Sequence, residues 1–309
     1  MVSFCFEKRY MDTESLRIFC AVAAELSVTQ AAARLGRAPS NVTTRIQQLE
    51  ADFDAELFVR IGKRIALSTA GEQFLAYAER LLALEDEARQ VVSNGASGGV
   101  LRIGSMESTA ASRLPGVLAA YHLDHPGTRL ALSTGPSRQI IEAVRTGALD
   151  CAFAALPEDG ADLADMALQS MPVWEEELLL LLPPGDTDAA DIGKVTARSL
   201  AAFPQGCTYR SLAENRLGIA GAPDWRVQEM NSYHAMIACV AAGACVTVLP
   251  ASVLALSGAP AALQTLSLGR MTTCLVWREG FATPAFLAFA SRSRMVDTQL
   301  GRQVNARTM

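Results

Sequence analysis

The stretch SVTQAAARLGRAPSNVTTRIQQLE, which begins at Ser27, places two short helical patterns on either side of a sharp turn. Ser27 is a suitable N-cap for a helix over residues 28–35, because its side chain can accept a bond from a free backbone amide. Gly36 fits the left-handed position that ends such a helix, and Pro39 fits the first turn of the next one. An apolar stripe over residues 11–26 predicts a further helix in front. The pattern therefore predicts three packed helices that contain a helix-turn-helix.

The predicted third helix, Pro39 to Glu50, has its apolar residues on one side, at Val42, Ile46 and Leu49. Its other positions hold hydroxyl, amide and guanidinium groups, which suit base edges and phosphates. These are Ser40, Asn41, Thr43, Thr44, Arg45, Gln47 and Gln48. A polar face that only solvates a helix in an ordinary bundle would show the same pattern. DNA binding is therefore the first hypothesis, and solvation is its alternative.

A short basic hairpin is expected beside this helix. Residues 61–67 can form two short strands with Gly62, Lys63 and Arg64 near the tip. A basic tip next to a reading helix is typical of a wing that lies along the phosphate backbone. The predicted DNA contacts are Thr29, Gln30, Arg37, Ser40, Asn41, Thr43, Thr44, Arg45, Gln48, Arg60, Lys63 and Arg64.

Four motifs, in this order and spacing, resemble the N-terminal signature of LysR-type transcriptional regulators. They are Thr29-x-Ala31-Ala32-x-x-Leu35, the segment VTTRIQQLE that ends at Glu50, Leu57-Phe58-x-Arg60 and Leu67-x-Thr69-Ala70-Gly71. The resemblance implies a winged helix-turn-helix, a long linker helix and a two-lobed α/β effector domain similar to type 2 periplasmic binding proteins. It also implies double-stranded promoter DNA and a small-molecule effector as partners, with homodimers and homotetramers as assemblies. Many members carry Ser-Gln-Pro before the third helix, where this chain has Ala38-Pro39-Ser40-Asn41. The family's base-contacting residue is therefore not carried over to Pro39.

The expected organisation has four parts. Residues 1–10 are treated as a disordered extension, 11–68 as the winged DNA-binding domain, 69–97 as a linker helix with a hinge, and 98–309 as the effector domain. Apolar residues of the linker helix recur near a 3.5-residue spacing, which predicts a seam between two copies. A surface helix packed on its own domain is the alternative. The seam residues are Phe74, Ala78, Leu81, Leu82, Ala88 and Val92.

Strands and helices alternate beyond the hinge, which predicts an α/β domain with a parallel sheet. The first lobe has predicted strands at 100–103, 129–133 and 149–154, with helices at 108–123 and 137–146. The second lobe has the apolar run 178–182, a helix at 232–242 and a strand at 245–249, while a strand at 271–278 and a helix at 284–296 return the chain to the first lobe. Lobe I is predicted at 98–169 and 277–303, and lobe II at 170–276.

Two passages of the chain between the lobes predict a hinged cleft. Ligands of open parallel sheets bind outside the carboxyl ends of the strands, near helix N-termini. The candidate effector residues are Ser105, Glu107, Ser108, Thr109, Gly135, Ser137, Cys207, Thr208, Arg210 and Ser232. Ordinary helix capping is the alternative role for each serine or threonine. The family resemblance favours the loops at 105–109 and 206–210.

Charged residues suggest two possible arrangements at this cleft. Arg138 and Arg210 could clamp a carboxylate while Glu107 pairs with an amine, which would suit an amino acid or another zwitterion. Alternatively, Glu107 complements the positive end of its helix and Arg210 makes an internal salt bridge.

Seven cysteines are scattered without a C-x-x-C pair, which argues against a disulfide scaffold or structural zinc. No cofactor or metal is expected. Most of the cysteines fall in apolar patterns and are expected in the core, namely Cys20, Cys151, Cys239, Cys245 and Cys274. Cys207 lies three residues before Arg210, an arrangement that could lower a thiol pKa. A redox-responsive regulator using Cys207 is therefore an alternative.

The net charge of -5 is unevenly distributed. Residues 1–67 hold nine Lys and Arg against eight Asp and Glu, leaving 18 against 24 in 68–309. DNA binding by so weakly basic a module would need two or more copies.

Other protein classes fit the sequence less well. It has no G-x-S-x-G, GxxxxGK[ST] or H-E-x-x-H motif, which argues against an enzyme. No apolar stretch of about 18 residues or secretory signal is evident, so a cytoplasmic location and no membrane partner are expected. A cytoplasmic solute-binding protein is a less favoured alternative, because it would not need the DNA-reading module.

Overall fold

The computed structural model describes residues 11–62, 64–92, 99–156, 163–186, 189–258 and 263–294. The chain divides into two compact units, Met1–Val92 with Thr146–Ala148 and Ser93–Arg145 with Leu149–Met309. Several predicted features lie outside the described residues: the extension at 1–10, Lys63, the hinge at 93–97 and the chain after 294.

The first unit is a small helical domain with a two-stranded hairpin. Its elements are α1 (Thr13–Glu25), α2 (Val28–Leu35), α3 (Pro39–Phe53), β1 (Phe58–Ile61), β2 (Arg64–Leu67) and α4 (Thr69–Val92). Phe19 of α1 is fully buried at the centre. Its ring lies 5.3 Å from that of Phe58 in the hairpin and 5.0 Å from that of Phe74 in α4. One aromatic cluster therefore holds the first helix, the hairpin and the long helix together.

The second unit contains one mixed sheet flanked by helices. Its elements are β3 (Val100–Ser105), α5 (Glu107–Ser112), α6 (Leu114–Asp124), β4 (Arg129–Thr134), α7 (Ser137–Thr146), β5 (Cys151–Ala155), β6 (Leu168–Leu181), β7 (Ser199–Ala202), α8 (Thr208–Leu217), β8 (Arg226–Glu229), α9 (Tyr233–Ala241), β9 (Val246–Pro250), α10 (Ala251–Ser257) and β10 (Thr265–Arg278). Residues 284–294 are helical and are called α11. The eight strands lie in the order β4-β3-β5-β10-β6-β9-β7-β8.

Parallel pairing is confined to the two ends of this sheet, so the predicted parallel sheet is only partly correct. β3 pairs in parallel with β4 and β5, and β7 pairs in parallel with β8 and β9. Between them β6 and β10 run antiparallel to each other and to their outer neighbours β9 and β5. Each of these strands has 14 residues and contributes to both ends of the sheet. The chain therefore passes between the lobes within these strands, rather than at their ends near residues 170 and 277.

Several local predictions differ from the structure for identifiable reasons. The helix predicted over 108–123 is divided into α5 and α6 at Arg113, because Pro115 in the first turn of α6 has no amide to continue the preceding helix. The apolar run at 178–182 is the end of the long strand β6, not a separate short strand. The wing begins at Phe58, three residues before the predicted start at 61.

Candidate functional site

The helix-turn-helix is formed by α2, a turn and α3, with a cap at each boundary of α2. Ser27 Oγ accepts a hydrogen bond of 3.3 Å from the amide of Gln30. Gly36 ends the helix with φ 63°, a left-handed conformation that favours glycine. Ala31 and Ala32 are fully buried, so α2 packs closely on its neighbours. The local sequence therefore sets the angle at which α3 is presented.

The outer face of α3 holds the predicted base-reading residues. Val42, Ile46 and Leu49 are buried, as predicted. Around them Ser40, Asn41, Thr43 and Thr44 are exposed, and Arg45 and Gln48 are partly exposed. The hydroxyls of Thr43 and Thr44 each donate a 3.0 Å bond to the carbonyl four residues earlier, which leaves their oxygens as acceptors.

Gln47 is also exposed on this face, although it was not included in the predicted contacts. It lies three residues after Thr44, so a helical projection places the two side chains side by side. Its amide has both a donor and an acceptor, as bidentate recognition of adenine requires.

Two of the predicted DNA-contacting arginines are paired with carboxylates of the first helix. Arg37 lies 2.5 Å from Glu14 Oε1, and Arg45 lies 3.5 Å from Asp12 Oδ2. Hydrogen bonds from Ser15, assisted by Arg45, lower the pKa of Asp12 below its ordinary value. Solvent-exposed pairs of this kind contribute only about 0–1 kcal/mol. A phosphate can therefore replace either carboxylate at little energetic cost.

The wing is tied directly to the end of α3. Glu50 Oε1 accepts hydrogen bonds from the amides of Leu57 at 2.8 Å and Phe58 at 3.1 Å. Beyond them Arg60 and Arg64 are exposed on the two strands, and Gly62 takes φ 67° at the tip. The exposed Thr29 and Gln30 lie in the first turn of α2. Two hydrogen bonds thus join the end of α3 to the start of the basic hairpin.

The linker helix α4 divides its apolar residues differently from the prediction. Phe74, Ala78 and Leu82 of the predicted seam pack into the core of their own domain. Leu81, Ala88 and Val92 of the predicted seam are exposed. The exposed apolar residues that continue this stripe are Tyr77, Leu84 and Val91. The residues of this stripe from Tyr77 to Val91 follow one another at intervals of four, three, four and three residues, which is the a/d spacing of a coiled coil. One face of this helix therefore packs on its own domain, and the other has the spacing expected for contact with a second copy.

A cavity of about 370 Å³ lies between the two lobes of the second unit. Five of the predicted effector residues line it, namely Glu107, Ser108, Gly135, Ser137 and Cys207. The wall also includes Met106 and Tyr209, which lie within the favoured loops at 105–109 and 206–210. Its remaining residues are Thr134, Pro136, Gln139, Phe203, Pro204, Gln205, Asn231 and Tyr233.

Three hydroxyls at this cleft are buried without a hydrogen bond of acceptable geometry in the described structure: Ser108 Oγ, Ser137 Oγ and Tyr209 OH. Each of these residues is at most 3% exposed. Burial raises the pKa of Tyr209 well above its ordinary value, and the nearby Thr273 and Ser108 offset this only in part. Burial likewise raises the pKa of Tyr233. The phenols are thus neutral hydrogen-bonding groups throughout the physiological pH range.

The other five predicted effector residues do not line this cleft. Ser105 is buried and donates to the carbonyl of Met106 at 2.9 Å, while Thr109 is buried within α5. Thr208 donates to the carbonyl of Ala155 at 2.9 Å. Ser232 caps α9 through the amide of Ala235, the capping alternative for this residue.

Arg210 does not form the predicted carboxylate clamp. Its guanidinium lies 2.7 Å from Glu214 Oε1 and 2.6 Å from Glu229 Oε1, and it also donates to the carbonyl of Phe203. The residue is 7% exposed, so these bonds fix it inside the second lobe. The alternative of an internal salt bridge is the one observed. Arg138 lines a different cavity, so the zwitterion site built from these arginines and Glu107 is not assembled.

The Cys207 thiol is in an environment opposite to the one expected for a reactive cysteine. Burial raises its pKa above the ordinary value, and hydrogen bonds from the amides of Arg210 and Tyr209 offset this only partly. Reactive cysteines need a lowered pKa and access to solvent. The charge of Arg210 also lowers the Cys207 pKa, but less than burial raises it, and two carboxylates already pair with that guanidinium.

Comparison with known proteins gives two family matches. Residues 13–72 match the bacterial regulatory helix-turn-helix protein family of lysR type. Residues 94–295 match the LysR substrate binding domain. The chain belongs to the LysR family. It is a transcriptional regulator with a DNA-binding helix-turn-helix and an effector-binding domain, and the predicted resemblance is confirmed.

Relatives of this LysR-type regulator match it over nearly their full length. The uncharacterized HTH-type regulator YusT of Bacillus subtilis is 33% identical, and the match covers 93% of this chain and 97% of YusT. GltR of the same organism is also 33% identical, and the match covers 92% of this chain and 96% of GltR. Among solved structures, a full-length OxyR variant from Pseudomonas aeruginosa has a TM-score of 0.68 at 22% identity, covering 92% of this chain and 95% of its own. The LysR regulator CbnR has a TM-score of 0.65 at 22% identity, covering 93% and 99%. These structures share the fold.

Within the described residues, no helix is long and apolar enough to cross a membrane. The same residues contain no group of three or more His, Cys, Asp or Glu side chains placed to hold a metal ion.

Proposed function

We propose that this regulator binds duplex promoter DNA through the outer face of α3 and the exposed arginines of the wing. The hydroxyl and amide groups of Ser40, Thr44, Gln47 and Gln48 can contact base edges, whereas Arg60 can contact phosphate. Glu50 supports this arrangement because it fixes the wing at the end of the reading helix. Phosphate contacts supply affinity and base contacts supply specificity.

The DNA-reading role can be tested on a duplex that the full chain selects from random sequences. The double substitution Thr44→Ala with Arg45→Ala should weaken binding at fixed salt by about tenfold or more, because one base contact and one charge contact are lost. Thr69→Ala with Arg89→Ala, a matched pair on exposed positions of α4, should leave affinity unchanged. Equal affinities of the two double variants would exclude α3 as the reading helix.

The active assembly is a homodimer formed through the exposed stripe of α4, with tetramers formed by further contacts of effector domains. Large apolar side chains at a/d spacing are unfavourable in water and favour packing against an identical helix. Dimerisation also doubles the number of phosphate contacts, which compensates for the weakly basic DNA-binding module.

The cleft lined by Ser108, Ser137 and Tyr209 binds a small polar effector. The observation that carries this proposal is that three buried hydroxyls lack a hydrogen bond of acceptable geometry, since buried polar groups are normally well paired. A ligand that supplies those bonds would recover the energy lost on burial. Among the described residues of this cleft, Glu107 is the one charged side chain, which favours an uncharged ligand or one with an amine.

Effector binding changes the angle between the lobes and hence the placement of the DNA-binding dimers. Residues from both ends of the sheet line the cleft, and the long strands β6 and β10 connect those two ends. A ligand that bonds to both lobes favours one angle between them. The resulting shift would alter promoter bending, whose free energy depends on DNA sequence.

A thermal-shift screen of the full chain against amino acids, polyamines and aromatic acids tests the effector site. A compound that occupies the cleft should raise the melting temperature through mass action. The shift should disappear in Ser108→Ala with Tyr209→Phe and persist in the control Ser170→Ala with Thr265→Val, which removes two exposed hydroxyls outside the cleft. A shift that survives the first pair of substitutions would exclude this cleft.

A further inference from the structure

A second and larger cavity of about 800 Å³ adjoins the effector cleft. Ser137 lines both cavities, whereas the consecutive residues Cys207 and Thr208 each line one of them. Two hydrogen bonds join the lobes here, from the amide of Arg138 to the carbonyl of Gly206 at 3.2 Å and from Thr208 Oγ1 to the carbonyl of Ala155 at 2.9 Å. The larger cavity thus lies beside the place where α7 meets the loop that leads into α8.

Apolar side chains from both lobes form much of its wall: Ile141, Met166, Leu212, Leu268 and Met271. The strand β10 is irregular at this point, with a register shift between Ser267 and Gly269. Gly269 has φ 103°, a conformation that favours glycine. Bulges of this kind re-aim side chains next to binding sites. The irregularity brings Leu268, Gly269, Arg270 and Met271 together on the cavity wall.

The charges on the wall leave an excess of positive charge. Arg270 is paired with Glu175 at 3.0 Å, and Glu142, the one acidic residue among the described wall residues, is paired with Arg145 at 2.5 Å. Arg138 and Arg216 are exposed on the wall, and neither has a carboxylate within salt-bridge distance in the described part of the chain. The pKa of Glu142 is lowered mainly by its hydrogen bond with Arg145 and less by the charge of Arg138. A guanidinium can hold a carboxylate through two parallel hydrogen bonds.

We propose that this cavity is a second ligand site, which takes a carboxylate attached to an apolar body. Arg138 and Arg216 attract the carboxylate, and the apolar wall covers the rest of the molecule. The volume lies within the range of pockets that hold drug-sized ligands. Because Arg138 belongs to α7 and Arg216 to α8, the ligand contacts both lobes beside the effector cleft. It therefore favours the arrangement in which α7 and α8 are held together.

Methionine methyl groups allow the site to be identified in the full chain. Met166 and Met271 line the proposed site, Met106 lines the effector cleft, and Met171 lines a separate groove beside α11. With ¹³C-methyl methionine labelling, titration with sodium decanoate below its micelle-forming concentration should shift the signals of Met166 and Met271 saturably. The signals of Met106 and Met171 should move less than either. Met→Leu variants assign the four signals.

The arginines are tested by the double substitution Arg138→Gln with Arg216→Gln, which removes the charge and keeps both positions polar. Decanoate binding should weaken at least tenfold, since a charge-assisted hydrogen bond contributes more than a neutral one. The matched control is Arg129→Gln with Arg226→Gln, whose residues are exposed on the edge strands β4 and β8, and should bind decanoate normally. Decyltrimethylammonium, which has the same chain and the opposite charge, should not produce the shifts.

Five results would each overturn the proposal. Largest shifts at Met106 would place decanoate in the effector cleft, and largest shifts at Met171 would place it beside α11. Undiminished binding by the double glutamine variant would exclude Arg138 and Arg216 as the anion contacts. Saturable shifts with decyltrimethylammonium, or none with decanoate, would exclude a carboxylate site. None of these results depends on whether the effector cleft binds its own ligand.

Discussion

The exposed stripe of α4 predicts that two aspartates will disrupt the assembly. Leu81 is 41% exposed and Leu84 is 59% exposed, so the two together present about one whole leucine to solvent. Complete burial of a leucine contributes about 1.5–3 kcal/mol. A symmetric dimer buries this surface on both copies, so Leu81→Asp with Leu84→Asp should remove about 3–6 kcal/mol of association free energy. Burial of the new carboxylates would weaken association further.

This loss corresponds to an increase in the dissociation constant of the α4 interface of about two to four orders of magnitude. Sedimentation equilibrium of the full chain measures it directly, and at micromolar concentration the mass of the assembly should fall by at least half. The fold of each protomer should remain, because Phe74 and Ala78 hold α4 on its own domain and neither is changed. Circular dichroism and the urea midpoint check that expectation.

Thr69→Asp is the control, since it adds an aspartate to the same helix at an exposed position off the stripe. It should associate as the unmodified protein does. An unchanged mass for the double aspartate variant, with its fold intact, would refute the reasoning that this stripe joins two copies.

Three further substitutions have predicted effects. Gly71→Ala should destabilise the first unit by about 1–3 kcal/mol in urea unfolding, because a Cβ would lie 2.0 Å from the carbonyl oxygen of Leu57; an unchanged midpoint would contradict this. Glu50→Ala should lower the stability of the first unit by about 2 kcal/mol and weaken DNA binding, since two hydrogen bonds from backbone amides of the wing are lost. Unchanged stability and unchanged affinity would be evidence that Glu50 does not hold the wing beside α3. Burial raises the pKa of Asp186, but hydrogen bonds from Thr196 and Ala197 together outweigh it, so the pKa is lowered. The ionised Asp186 therefore stabilises the folded state fully above the unfolded pKa of about 3.9, and this stabilisation is lost as pH falls through the folded pKa. Asp186→Asn should therefore flatten the acid side of the stability curve, and an unaltered curve would contradict this.

Local chemistry explains why parts of the fold could be predicted from sequence. The structure has α2 at Val28–Leu35, α4 at Thr69–Val92 and α7 at Ser137–Thr146, the predicted bounds in each case. Caps such as Ser27 and Gly36 act within one turn of chain, so neighbouring residues determine them. Apolar spacing likewise fixed which side of α3 is buried.

The cleft was less predictable because its residues come from distant parts of the chain. The sequence left open whether Arg210 faces a ligand or makes an internal salt bridge. In the structure it donates to Glu229, 19 residues later in the chain, and no local sequence pattern predicts that pairing. Tyr209 and Tyr233 line the same cavity as Ser108, which is about 100 residues earlier, and this arrangement depends on how distant segments pack together.

The sequence by itself determined the family, the helix-turn-helix and the polar face of α3, because spacing and capping act over a few residues. Only the tertiary structure decided which apolar face of α4 remains exposed, since that depends on which residues pack against Phe19 and its neighbours. It also decided that two long antiparallel strands join the lobes, because strand direction follows from pairing across the sheet. The same packing decided which hydroxyls are buried without partners, and these define the proposed effector site.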